Sequence, residues 1–125
     1  MIEKGIILNK KDFDGLTPLA YSLKNDDEKM FNLLIERGAD INKEILDGTS
    51  HLIFYISNKR HKLIRNILKS GADINFQDKL GRTALMNAIE RSNFNAVSTL
   101  VNNKFDEHIT DYSGKDVISY FKTKI

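Results

Sequence analysis

The chain has no cysteine and no tryptophan, and it has one proline in 125 residues. Without cysteine there is no disulfide framework, no thiolate zinc site and no cysteine nucleophile. No apolar run approaches the roughly 20 residues that span a bilayer. Only Gly5-Ile6-Ile7-Leu8 stands between Lys4 and Asn9, too short for the apolar stretch of a secretory signal. These absences set the expectation of an intracellular, cytoplasmic chain. Charge of one sign is also lacking in excess: 19 basic and 17 acidic residues leave a formal net charge of +2. That balance is too even to imply nucleic acid or an anionic membrane by itself.

Catalytic patterns are missing as well. The three histidines, His51, His61 and His108, include no pair at metal-ligand spacing on one helix. There is no Gly-x-Ser-x-Gly, no phosphate-binding glycine loop and no His-Glu-x-x-His. No catalytic, cofactor-binding or metal-binding residue is expected, and the chain is not expected to be an enzyme.

What is present is repetition. Gly15, Gly48, Gly81 and Gly114 recur every 33 residues. So do the strings Gly38-Ala39-Asp40-Ile41-Asn42 and Gly71-Ala72-Asp73-Ile74-Asn75. At that period Thr17-Pro18-Leu19 aligns with Ser50-His51-Leu52, Thr83-Ala84-Leu85 and Asp116-Val117-Ile118. Thr17, Ser50, Thr83 and Asp116 are all helix N-cap types, whose side-chain oxygen can accept a free helical N–H. Pro18 falls at the first helical position, where a missing N–H costs nothing. Leu19, Leu52, Leu85 and Ile118 are expected to point into the stack. A second helix is expected over the apolar sets Met30-Phe31-Leu34-Ile35, Leu63-Ile64-Ile67-Leu68 and Ala96-Val97-Leu100-Val101. Gly38 and Gly71 suit the left-handed cap that ends such a helix.

A 33-residue unit of turn, helix, turn, helix, with Thr-Pro-Leu and Gly-Ala-Asp-Ile-Asn, resembles the ankyrin repeat. The resemblance covers nearly the whole chain. It implies an all-α solenoid of helix-turn-helix repeats joined by hairpin-like turns. About three full repeats and partial caps would form a single domain. Residues 1–11 would be an N-terminal cap or the tail of a preceding repeat, with repeats at 12–44, 45–77 and 78–110 and a truncated repeat at 111–125. There are departures. Ala20, Ile53 and Met86 stand where the family's Thr-Pro-Leu-His has histidine, so its polar links between repeats are expected to be missing. Tyr55 stands where a small residue is usual and should push its helices apart. Lys104 replaces the third glycine cap and requires either a left-handed lysine or a different turn.

The resemblance also implies a function, because ankyrin repeats commonly bind other proteins through turn tips and the exposed, concave side of the first helix. Carried over position by position, the candidate partner-binding residues are Phe13, Asp14, Leu16, Lys24 and Asn25 in the first repeat. The second offers Leu46, Asp47, Thr49 and Asn58. The third offers Lys79, Leu80, Arg82, Glu90 and Arg91, Tyr112 follows, and Phe76, in the turn that ends the second repeat, is added from this sequence itself. Among these, Phe13, Leu46, Phe76 and Leu80 are apolar residues at turns expected to face water, beside Leu16 and Tyr112. A contiguous apolar stripe of that kind marks an interaction surface, unless the side chains fold back over their own turns. The partner expected is another protein, with no small-molecule substrate, no membrane and a monomeric state. A structural piece of a longer array, self-associating or not, is the alternative. A further alternative is an anionic surface or nucleic acid meeting the run Lys59-Arg60-His61-Lys62 with Arg65 and Lys69. Lys62, Arg65 and Lys69 would share one helical face, which reads more simply as a solvated one.

Overall fold

The computed structural model describes residues 8–124. Seven helices follow one another among them, here α1 Pro18–Lys24, α2 Glu28–Glu36, α3 His51–Ser57, α4 Ile64–Lys69, α5 Ala84–Glu90, α6 Phe94–Val101 and α7 Val117–Lys124. There is no strand among the described residues, only an isolated bridge between Ile45 and Thr49. The architecture is an all-α helical repeat solenoid. First helices α1, α3, α5 and α7 pack in sequence, and second helices α4 and α6 pack behind them.

Six of the seven helices begin at a side-chain cap; α4, which follows Leu63, does not. Thr17, Ser50 and Thr83 accept the backbone N–H of Ala20, Ile53 and Met86, and Asp116 accepts that of Ser119. Asp27 and Asn93 do the same for α2 and α6. Such a cap is worth about 1 kcal/mol. Gly38 and Gly71 end α2 and α4 at φ of 98° and 95°, a conformation that costs glycine nothing. Lys104 has no positive φ, so the turn after α6 differs from the other two.

The core is continuous from the first unit to the last. Leu19, Phe31, Leu52, Tyr55, Ile64, Leu85, Ile89 and Leu100 are all at most 2% exposed. The edges of the predicted second-helix stripes are open, with Met30 and Val101 each 43% exposed. Ile118 corrects an expectation. Leu19, Leu52 and Leu85 are buried, but Ile118 is 55% exposed. Its neighbour Val117 packs back toward the preceding unit and is buried.

Polar links run between units along the same period. The Asn9, Asn42 and Asn75 side chains accept the N–H of Asp40, Asp73 and Asp106, each 31 residues on. A second link overturns the expectation of a missing histidine. His51 is fully buried and bridges the first two units. Its Nδ1 lies 3.1 Å from the Ile41 carbonyl, which can only accept, so Nδ1 carries the proton. Nε2 then accepts the Thr17 hydroxyl at 2.6 Å. Burial pulls the His51 pKa down to about 4. The polar link is therefore present, supplied from two positions earlier than the family's histidine.

Candidate partner-binding surface

Three of the four turns share one construction. Asp12 Oδ1 accepts the N–H of Asp14 and Leu16, Asp78 Oδ1 that of Leu80 and Arg82, and Asp111 Oδ1 that of Ser113 and Lys115. The second carboxylate oxygen reaches the first helix of the same unit. Asp12 accepts the Tyr21 hydroxyl, Asp78 the Asn87 amide at 3.1 Å, and Asp111 the Tyr120 hydroxyl at 2.5 Å. These bonds hold the Asp12 and Asp111 carboxyls below the ordinary 3.8. They also raise the tyrosines to about 12, the Asp12 bond chiefly for Tyr21 and burial chiefly for Tyr120. The turn tips are thus fixed at both ends. Sequence reasoning missed this device, although Asp12, Asp78 and Asp111 share the 33-residue period and each partner lies nine residues on.

The second turn is built differently. Ile45 stands in the aspartate position and Phe54 in the tyrosine position. They form a small apolar cluster with Leu16 and Ala20, against which Tyr21 packs. An apolar pair replaces a polar pair at the same place. The turn is held by reciprocal backbone bonds between Ile45 and Thr49, both 2.8 Å. Leu46 beside them takes a left-handed φ of 50°.

Most candidate residues lie at the tips and the exposed ends of first helices. Phe13 is fully exposed, Tyr112 is 73%, Leu80 53% and Leu46 43% exposed. Asp14, Asp47 and Lys79 are exposed tip residues, and Lys79 pairs with Asp47 at 3.5 Å. Thr49 is half-buried in the second turn. Lys24, Asn25, Asn58, Glu90 and Arg91 are exposed at the helix ends. Asn58 caps its own helix by donating to the Phe54 carbonyl. Arg82 is half-buried, because its Nε donates to the Tyr120 hydroxyl at 3.1 Å and ties the third unit to the last.

Two candidates do not face water. Leu16 is 6% exposed, since it closes the apolar cluster under the second turn. Phe76 is half-buried and packs on the main core. The apolar stripe therefore consists of Phe13, Leu46, Leu80 and Tyr112. Leu46, Thr49, Phe54, Asp78, Lys79, Leu80, Arg82 and Arg91 all border one cleft of about 280 Å³ between the second and third turns.

The basic run behaves otherwise than a free helical face. Lys62 lies in the turn before α4, so only Arg65 and Lys69 share the helix. Arg60 and Lys62 reach back to the first unit. They lie 3.8 and 3.9 Å from Asp26 and donate to the Lys24 and Asp26 carbonyls.

Caps at the helix starts, left-handed turn glycines and a shared core across units define a helical repeat solenoid. The family comparison carries that class further. Ankyrin repeats in three copies match residues 50–120, and a single ankyrin repeat matches residues 14–45. The chain belongs to the ankyrin repeat family. A comparison with curated proteins returned no match. Among the described residues no helix is long and apolar enough to cross a membrane.

Proposed function

We propose that this chain is a non-catalytic module that binds a partner protein through its turn tips and the adjoining first-helix face. Ankyrin repeats are in general protein–protein interaction modules, which supports the class. The observation that carries the surface is the set of exposed apolar side chains on fixed tips, Phe13, Leu46, Leu80 and Tyr112. A rigid tip loses little conformational entropy on binding, and large apolar groups supply the anchors. The test is a Leu46→Lys, Leu80→Lys double variant. Both side chains are about half exposed and lie outside the core, so helicity and the unfolding midpoint should stay near those of the parent. A partner captured from cell lysate by the parent should be lost by the variant. Retention of every partner would overturn the turn-tip assignment.

A second reading, self-association, draws on Ile118, which is exposed where its counterparts in earlier units are covered. Light scattering over a concentration series decides it: a strict monomer at high concentration removes the reading.

A further inference from the structure

The turn tips are not joined evenly. The Leu46 N–H donates to the Gly15 carbonyl at 3.0 Å, and the Tyr112 N–H to the Leu80 carbonyl at 3.1 Å. First and second tips are thereby paired, and so are third and fourth. The approach is close enough that a methyl group on Gly15 would lie 3.1 Å from the Leu46 Cα. On Gly81 it would lie 2.7 Å from the Tyr112 nitrogen. Between the second and third tips no backbone bond forms among the described residues. A methyl group on Gly48 would meet nothing of the third turn within 4 Å. The exposed Lys79–Asp47 pair is the link there, and the cleft opens beneath it.

The walls of that cleft are apolar below and cationic above. Ile53 and Phe54 form its floor, with half-exposed Leu46 and Leu80 on opposite sides. Leu46 holds its place in a left-handed conformation, which costs a residue with a Cβ about 1–2 kcal/mol. The other non-glycine residues in that conformation, Asp26, Lys59 and Ser92, all sit at one shared position in the turn between helices. Leu46 is the exception, and strain retained at an exposed apolar residue is a pointer to function. The rim carries Lys79, Arg82 and Arg91 against Asp78. Asp78 is already committed, one oxygen to two backbone N–H groups and the other to Asn87. Arg91 makes no ion pair among the described residues.

A cleft of about 280 Å³ takes one large side chain, with the rest of the segment lying outside against the cations. We infer that this cleft binds an acidic segment of a partner protein. One leucine or aromatic side chain would sit between Leu46 and Leu80, with one carboxylate against Arg91 and another taking the place of Asp47 at Lys79. The inference rests on the turn-tip reading and gives it a chemistry.

The test is an amide-shift titration of the isotope-labelled full chain with three model peptides. They are acetyl-Glu-Glu-Phe-Glu-Glu-amide, the same peptide with lysine for glutamate, and the same with alanine for phenylalanine. The first should shift amides around Leu46–Phe54 and Asp78–Arg91, and the other two should bind at least about tenfold more weakly. Lys79→Glu with Arg91→Glu should reverse the preference between the acidic and basic peptides. Leu46→Gly takes the same backbone conformation without strain, so the fold is kept while the apolar wall is lost and affinity falls. Equal binding of the lysine peptide, or no shift with any of the three, overturns the proposal. Shifts centred on Phe13 and Tyr112 overturn the cleft while leaving the turn-tip reading standing. Failure of that reading shows separately, as retention of every captured partner by the Leu46→Lys, Leu80→Lys variant.

Discussion

In the first and third units an aspartate closes the turn, and Asp27 or Asn93 caps the second helix. In the second unit Ile45 and Arg60 stand at those positions, and neither can do those jobs. The turn is closed by backbone bonds over an Ile45–Phe54 contact. The helix is capped from a distance: the Tyr55 hydroxyl accepts the Leu63 N–H at 2.8 Å and donates to Asp26 at 2.6 Å. Leu63 occupies the same place in its unit as Met30 and Ala96, whose N–H groups are the ones capped by Asp27 and Asn93. The bulky tyrosine thus explains itself. It keeps α3 and α4 in sparser contact than the helix pairs of the other units, as its size predicts, and it spends that space on a cap. The lesson is that a fold is specified by which groups must be satisfied, while the residue that satisfies them is free to change.

That comparison can be broken or sharpened by measurement. The largest effect should come from His51, which joins the second unit to the first. Its pKa is about 4 when folded against 6.5 when free. Above 6.5 both states are neutral and the link contributes fully. As pH falls from 6.5 toward 4 the unfolded chain takes up the proton first, so stability drops by roughly 3 kcal/mol. Carboxylates held below 3.8, such as Asp12 and Asp111, lose their contribution only at lower pH. Urea unfolding at pH 7 and pH 4.5 should show the loss, and a His51→Leu variant should not lose stability over that interval. An equal loss in both proteins would remove His51 as the cause.

The next effect probes the tips. Gly48→Ala should cost only the left-handed strain, about 1 kcal/mol. Gly81→Ala adds a collision with the Tyr112 backbone and should cost about 2 kcal/mol more. Equal midpoint shifts for the two would mean that the second and third tips are as closely joined as the third and fourth. The smallest difference to be read, a recovery of about 1 kcal/mol, tests the borrowed cap. Tyr55→Phe leaves the Leu63 N–H without its partner and should cost about 2 kcal/mol. Adding Arg60→Asn, which restores the residue type of Asn93, should return about 1 kcal/mol. No recovery in the double variant would show that the hydroxyl was not replacing the cap.

Local chemistry was legible in the sequence. N-caps, the terminal glycines and the apolar faces depend on residues a few positions apart, and the 33-residue period repeats the message. Links between units were harder to read. The His51 bridge depends on the Thr17 hydroxyl 34 residues away and on which way two helices face. The inward turn of Leu16 depends on the unusual Ile45 of the following unit. Phe76 reads as a tip residue by position but reaches the core. The cleft could not be read at all, because it comes from an unequal spacing of turns that look equivalent in register. Arg60 and Lys62 looked like free charge for the same reason, since their partner Asp26 lies in another unit.

The asparagine ladder has a mechanical consequence. The hydrogen bonds that link the units span at most 38 residues, so among the described residues no hydrogen bond ties one end to the other. Tension applied at the two ends is carried from rung to rung, never shared across the whole. Such a body yields like a zipper at its weakest tooth. With its tips joined by one exposed ion pair and no backbone bond, the junction between Gly48 and Lys79 is where the first slack should appear.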